Sequence, residues 1–236
     1  DVVWDGELAL SKDGKILALR AMSTANLGAY LASKGTLPPV INLGTAAGTY
    51  KVDAMHIDVT GVFTNTNPIS PFRGNGRAEA SYLTERLIDV AADEMGIDPA
   101  ELRRINAIAP EDMPYKTALT FTYDCGEFEN NLNDAMEMSD YNGFSARRLE
   151  SKKLGKLRGI GLSNTIERAA AASFECADIR FHQGGTATIT VGTTQQGQGH
   201  ETIYKQIFCE RLGMHPDDVR VVEGDTETLG NGGGTG

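Results

Sequence analysis

Alternation of apolar and polar residues near the start of the chain predicts a β-hairpin. Two short apolar runs, residues 7–10 and 16–20, flank Asp13-Gly14, a dipeptide that readily adopts the positive φ angles of a tight turn. We expect the second strand to continue toward residue 22. Residues 24–49 predict irregular structure with one short helix, and 50–63 predict another strand.

Helical periodicity follows. Apolar residues at helical spacing predict a helix over about 78–95, which Gly96 ends. A second helix runs to about residue 106, with Asp98 as its N-cap and a capping box closed by Glu101. After a loop at 107–126, a third helix is predicted over 128–141, with Leu132, Ala135 and Met136 toward the core. The charged run at 147–156 is typical of a solvated helix or a linker.

Beyond the charged run the pattern changes to strands, predicted at 158–172, 174–182, 186–191 and 219–222. A helix is predicted over 200–212, with Ile203, Ile207 and Leu212 facing inward. The pattern therefore predicts an α+β fold with mixed sheets and packed helices. Its two subdomains, 1–150 and 151–236, meet near residue 150.

Composition and charge narrow the class of protein. Apolar residues make up 40% of the chain and charged residues 23%, as in ordinary globular domains, and the net charge of −10 argues against a nucleic-acid partner. The sequence shows no signal peptide and no apolar run near the ~18 residues of a membrane span. Three cysteines without a CxxC pair favour reduced thiols and a cytoplasmic location.

The ends of the chain are also informative. It opens without a methionine and stops inside a glycine run at 232–236. We therefore expect a fragment of a longer protein.

One segment repeats within the chain. Residues 95–102 are similar to 212–219, and both follow a helix that begins just after a Gly-x-Gly loop. Shared helix-capping patterns explain this similarity. The alternative is a pair of analogous loop–helix units that face the same ligand.

Residues 195–201, Gln-Gln-Gly-Gln-Gly-His-Glu, are the strongest candidate for chemistry. Gly197 and Gly199 expose backbone N–H groups, the loop opens a helix whose N-terminus favours anions, and the glutamines offer donors and acceptors to a polar heterocycle. A solvent-exposed turn is the alternative. The loop lacks the Lys-Ser/Thr of a Walker A motif, and no βαβ unit is predicted around it, so we do not expect a dinucleotide fingerprint.

With these residues in view, segment 192–202 resembles the molybdopterin-contacting loop of the xanthine dehydrogenase and aldehyde oxidase family. It is most similar to the bacterial branch that includes aerobic carbon monoxide dehydrogenase large subunits. Residues 71–80 are similar to the family loop over the molybdenum. Further matches lie at Tyr123-Asp124-Cys125-Gly126, Glu175, Gln206, 212–213, 217–219, 224–226 and 233–236.

The resemblance implies a molybdenum hydroxylase that oxidises a small aldehyde or N-heterocycle with oxygen from water. Its cofactor would be molybdopterin with molybdenum, in the cytosine dinucleotide form, and the protein would orient and tune it. Electrons would leave through iron–sulfur clusters and FAD on partner domains or subunits. The fragment alone would be inactive.

Positions that match the family's motifs give the expected cofactor-binding residues: Phe72, Arg73, Gly74, Gln196, Gly197, Gln198, Gly199 and His200. Each of three has an ordinary alternative. Phe72 could simply pack in a core, Arg73 could form a surface salt bridge, and His200 could start a helix without touching a ligand. No protein ligand to a metal is expected.

Two departures from the family limit these expectations. Carbon monoxide dehydrogenases of the branch carry a copper-binding cysteine in the loop that matches Phe72-Arg73-Gly74, where this chain has Gly74. Carbon monoxide oxidation is therefore not expected. The family's catalytic glutamate has no counterpart, because Glu79, Glu167 and Glu175 lack its Gly-Glu context, so no catalytic residue is assigned. A non-catalytic module that binds a ligand or a subunit is the alternative function.

Overall fold

A computed structural model describes residues 2–167, 174–228 and 232, with helices and sheets in an α+β arrangement. The chain divides into two compact units, residues 1–167 and 168–236, and each is described by itself. This division lies after the charged helix, whereas the predicted subdomain boundary near residue 150 lies within it. The subdomain limits 1–150 and 151–236 stay a prediction.

A three-stranded sheet forms one layer of the first unit. Strands β1 (Val2–Leu10) and β2 (Ile16–Gly28) are antiparallel, and β3 (Ala54–Phe63) lies parallel to β2 on its other side. The predicted hairpin is confirmed: Gly14 has a φ of 84°, and the Ser11 N–H donates to the Lys15 carbonyl at 2.9 Å. β2 extends six residues past the predicted end, and alternate side chains stay buried as far as Ala25.

Helices α1 (Arg77–Met95) and α2 (Pro99–Asn106) match the predicted helices. Gly96 ends α1 with a φ of 66°, and the Asp98 carboxylate accepts the first N–H groups of α2. The expected capping box does not close, since the Glu101 carboxylate pairs with an arginine of the next turn. The helices cover the sheet, and their shared core contains Leu19, Ala21, Tyr50, Leu83, Ile88 and Leu102.

A buried ion-pair cluster fixes α1, α2 and the chain that leaves the first unit. The Arg103 guanidinium, fully buried, lies 2.9 Å from Glu85 and 2.9 Å from Asp89, and donates to the Leu162 carbonyl at 2.9 Å. The Tyr50 hydroxyl donates to the other Glu85 oxygen at 2.7 Å.

The strand predicted at 158–172 is wrong for residues 158–167, which form neither helix nor strand. Residues 168–172 lie outside the described part of the chain.

The rest of the first unit is made of short elements. Strands β4 (Tyr115–Lys116) and β5 (Thr122–Tyr123) form a small hairpin in the predicted loop. Helix α3 (Phe128–Met138) buries Leu132 as predicted but leaves Ala135 exposed. Most of the charged run lies in helix α4 (Phe144–Lys153), which agrees with the helix alternative of the prediction. Short 3₁₀ turns occupy Ile41–Ala47, Pro110–Asp112 and Tyr141–Gly143.

The second unit is also built on a three-stranded sheet. Strands β6 (Ala177–Phe181) and β7 (Ala187–Val191) are antiparallel, and β8 (Val219–Glu223) runs parallel to β7. Helix α5 (His200–Leu212) joins β7 to β8, followed by a 3₁₀ turn over Pro216–Asp218. A βαβ unit therefore surrounds the glycine loop, contrary to the prediction from sequence. The core comprises Ala187, Ile189, Val191, Phe208 and Val219.

The predicted inward face of α5 is wrong. Ile203, Ile207 and Leu212 are 44%, 57% and 52% exposed, whereas Phe208 is buried and packs with Tyr204 against the sheet. Apolar residues occur on both sides of this helix, so periodicity alone does not identify the side that packs.

Candidate functional site

The glycine-rich loop at 192–199 lies where ligands bind in many α/β folds. It follows the carboxyl end of β7 and leads directly into the N-terminus of α5, and the carboxyl end of β8 lies on the same sheet edge. Gly197 and Gly199 have φ values of 98° and 76°, in the left-handed region that favours glycine. A side-chain carbon at either residue would meet no atom within 4 Å among the described residues. The backbone is therefore open to a ligand.

Glutamine side chains shape this loop from within. The Gln195 Oε1 accepts hydrogen bonds from the N–H groups of Gly197 at 3.2 Å and Gly199 at 3.1 Å. The Gln198 Oε1 accepts one from the Gln196 N–H at 2.6 Å. We expected the glutamine oxygens to be offered to a ligand, but two of them are turned toward the backbone.

Helix α5 begins without a side-chain cap. Its N-cap is Gly199, and no side chain accepts a hydrogen bond there, so amides of the first helical turn keep the partial positive charge of a helix N-terminus. This end of the helix suits an anionic or strongly polar group.

His200, the first residue of α5, is mostly buried. Its Nδ1 lies 3.2 Å from the Glu223 Oε1, with the two side chains 13% and 15% exposed, and its ring lies 5.3 Å from that of Tyr204. Apart from this contact with each other, the two polar atoms have no hydrogen-bond partner among the described residues. His200 thus connects the helix start to the end of β8. Glu223 was missed from sequence, where the available signal was its position directly after the strand predicted at 219–222.

Part of the C-terminal glycine run closes over the start of the loop. Gly232 bridges to Glu175, and a side-chain carbon at Gly232 would lie 2.5 Å from the Gly192 Cα. The rest of the segment matched at 233–236 lies outside the described residues.

The second predicted loop, Phe72-Arg73-Gly74, lies in the first unit. Its turn is held by the Asn75 N–H, which donates to the Phe72 carbonyl at 2.6 Å, and by the Arg77 N–H, which donates to the Gly74 carbonyl at 2.9 Å. The Phe72 side chain is 85% exposed and is therefore not part of a core. Arg73 is exposed and forms no ion pair with a described residue.

Close packing anchors this loop at its base. Gly76, with a φ of 90°, lies so close to Pro38 that a side-chain carbon would collide with the Pro38 carbonyl oxygen. The buried Arg77, which sequence analysis did not single out, forms an ion pair with Glu167 at 2.6 Å. The base of the loop is closely packed, while its apex exposes Phe72 and Arg73.

The two loops share a local design. Helices α1 and α5 each begin with a left-handed glycine N-cap, Gly76 or Gly199, preceded two residues earlier by another left-handed glycine. Both helices end at a left-handed glycine. The repeat then diverges, because α2 follows α1 whereas a 3₁₀ turn and β8 follow α5. The loops belong to different compact units, and the prediction that they face one ligand stays a prediction.

A search of the described residues for two other features gave negative results. No group of three or more His, Cys, Asp and Glu side chains there could hold a metal ion. No helix in the same ranges is long and apolar enough to cross a membrane.

Comparison with known proteins gives consistent matches. The molybdopterin cofactor-binding domain matches twice, with one model at residues 1–107 and a second at 134–236. The carbon monoxide dehydrogenase large chain of Hydrogenophaga pseudoflava is 37% identical over 100% of this chain and 31% of its own length. Subunit gamma of the 6-hydroxypseudooxynicotine dehydrogenase complex of Paenarthrobacter nicotinovorans is 33% identical over 97% of this chain and 30% of its own.

A solved structure extends the likeness. Quinoline 2-oxidoreductase from Pseudomonas putida 86 superposes with a TM-score of 0.91 at 31% identity, over 99% of this chain and 31% of that one. The chain thus spans about a third of the length of these relatives. It belongs to the molybdopterin-binding xanthine dehydrogenase family, close to the branch of the carbon monoxide dehydrogenase large chains.

Proposed function

We propose that the protein containing this chain is a molybdenum hydroxylase that oxidises a small aldehyde or N-heterocycle, taking oxygen from water. The observation that carries the proposal is the loop at 192–200, in which open glycines, an uncapped helix start and a buried histidine meet on one sheet edge. This is the geometry expected of a loop that holds the phosphate and pterin of a cofactor.

The residues present fit such a group. Left-handed glycines admit close approach, and the uncapped start of α5 offers backbone N–H groups to an anionic group. The residues that would hold molybdopterin in the second unit are Gln196, Gly197, Gln198, Gly199 and His200. In the first unit, Phe72, Arg73 and Gly74 would border the substrate pocket, with the exposed Phe72 ring offered to an aromatic substrate.

When bound, molybdopterin with molybdenum supplies two-electron oxidation of the substrate. The protein residues bind and orient this group, and the general base is left unassigned. Carbon monoxide is a poor candidate substrate, because Gly74 stands where the copper-binding cysteine is expected. An N-heterocycle is supported by the names of two relatives, the quinoline oxidoreductase and the hydroxypseudooxynicotine dehydrogenase.

The partners are part of the same proposal. The name of the second relative describes a subunit of a complex. We propose iron–sulfur and FAD-containing partner domains or subunits, the cytosine dinucleotide form of the cofactor, and a cytoplasmic location.

The test uses the full-length protein, produced with its neighbouring subunits in a host that makes molybdenum cofactor. We expect near-stoichiometric molybdenum by elemental analysis, cytidine monophosphate after acid hydrolysis, and dye reduction with quinoline, nicotinate or benzaldehyde but not with carbon monoxide. Labelled oxygen from water should enter the product. Absence of molybdenum, in a host that loads a known molybdenum hydroxylase, would overturn the proposal and favour the non-catalytic module.

A further inference from the structure

The amides of the glycine loop are not all available to a ligand. Three of the loop's N–H groups, those of Gln196, Gly197 and Gly199, already donate to glutamine side chains of the same loop. Donors left for a ligand must therefore come from other amides, including those at the uncapped start of α5. Gln195 and Gln198, which accept these hydrogen bonds, therefore also determine the shape of the loop.

Gln195 contributes most to this arrangement. Its one carboxamide oxygen accepts two hydrogen bonds and so draws together the N–H groups of Gly197 and Gly199. A carbonyl oxygen has two lone pairs and can accept both. Glycine gives each of these positions its left-handed φ but also the greatest freedom to leave it. A fixed acceptor would restrict that freedom before any ligand arrives.

We infer that Gln195 is a positioning residue: its carboxamide fixes the loop in the conformation that receives the cofactor, and stays in place when the cofactor is bound. The inference rests on the proposed function, because it concerns the same site. It assigns Gln195 a role in preorganisation, which lowers the entropy lost when a ligand binds. The proposed direct contacts with the cofactor are made by the next residues, 196–200.

A different role for the same contacts makes the opposite prediction. If the Gln195 oxygen only fills the place of a ligand oxygen, the cofactor must displace it, and removal of the carboxamide would leave loading unchanged or improve it. The two left-handed glycines favour the positioning role, because neither has a side chain to pack and a side-chain carbon added at either would meet no described atom within 4 Å.

The test compares Gln195→Leu with wild type in the full-length protein. Leucine keeps the bulk of the side chain but removes the acceptor. Amide hydrogen exchange at Gly197 and Gly199 should become about fivefold faster or more, the factor that loss of one typical hydrogen bond gives. Molybdenum per polypeptide should show a severalfold loss. Gln195→Glu keeps an acceptor and should keep slow exchange.

Gln183→Leu provides the matched control, since Gln183 is an exposed turn residue of the same unit; it should change neither readout. Unchanged exchange in Gln195→Leu would overturn the inference, and so would faster exchange with full molybdenum. Loss of slow exchange in Gln195→Glu would do the same, because a retained acceptor should protect the amides. If wild type itself carries no molybdenum, the proposed function fails, and the exchange comparison still decides whether Gln195 shapes the loop.

Discussion

Replacement of Arg103 by methionine should cause the largest loss of stability in the first unit. The Arg103 side chain is fully buried and pairs with Glu85 through two nitrogens, at 2.9 Å and 3.0 Å, as well as with Asp89. Methionine fills much of the volume but leaves the Glu85 carboxylate, 9% exposed, without its cation. Loss of one partner of a buried pair costs about 3–5 kcal/mol, and we expect Arg103→Met to lie in this range.

The loss of stability in Arg103→Met should depend on pH in a definite direction. Burial already raises the pKa of Glu85 above its ordinary value of 4.5, despite the opposing attraction of Arg103. Removal of Arg103 should raise this pKa further. A carboxyl whose pKa is raised by folding contributes stability below its unfolded pKa and loses it as the pH rises through the folded value. Arg103→Met should therefore be least destabilising at low pH, where Glu85 is protonated in both proteins, and more destabilising as the pH rises through the raised pKa of Glu85 in the folded wild type.

Urea unfolding followed by the fluorescence of Trp4 measures the effect, since Trp4 is the only tryptophan and packs against the core of the first unit. The matched control is Arg20→Met, which removes an equally close but exposed pair with Glu7. Exposed pairs contribute about 0–1 kcal/mol. A loss in Arg103→Met no larger than in Arg20→Met, or one that does not grow with pH, would refute the reasoning. The double variant with Glu85→Gln should recover part of the loss, because the buried Glu85 charge is removed and only the partly exposed Asp89 is left without its cation.

Three further changes test the site and its support. Asn106→Leu should destabilise the first unit by about 2–4 kcal/mol in the same assay, because it removes buried hydrogen bonds to Ile16 and Gly14. Gly76→Ala should lower the melting temperature more than Gly74→Ala. Both glycines have a positive φ, but only at Gly76 would the added side-chain carbon collide with a carbonyl oxygen, that of Pro38. Equal shifts would mean that this collision is unimportant. Phe72→Ala should change stability by less than about 0.5 kcal/mol, as for an exposed residue, while raising KM for an aromatic substrate of the full-length enzyme; a large loss of stability would indicate core packing.

Local rules predicted the parts of the fold that depend on neighbouring residues. Asp13-Gly14 marked the hairpin, and Gly96 and Asp98 marked the boundary between α1 and α2. Each of these signals acts within one turn of the chain, so sequence spacing carries it. The hairpin turn and the boundary between the two helices could therefore be predicted without knowledge of the fold.

Features that depend on distant partners were not predictable in this way. Residues 158–167 contain enough apolar positions to suggest a strand, but Arg103 holds this segment through the Leu162 carbonyl, 59 residues away in sequence. The buried face of α5 was also misassigned. The helix has apolar residues on two sides, and the position of the sheet determines which side packs. Likewise, Glu223 reaches His200 only because β8 lies parallel to β7.

The N-cap residue sets α1 and α5 apart from α2. At α2, Asp98 accepts the N–H groups of Ala100 and Glu101, so its side chain satisfies the helix end from within. At α1 and α5 the N-cap is a left-handed glycine, and no side chain caps the helix. A glycine N-cap has no side chain, so it cannot accept the helix N–H groups as the Asp98 carboxylate does at α2. Helices α3 and α4 also begin without a side-chain cap, but among the described helices only α1 and α5 begin at a left-handed glycine. These two helices follow the loops matched to the cofactor, and the proposed function explains that correspondence.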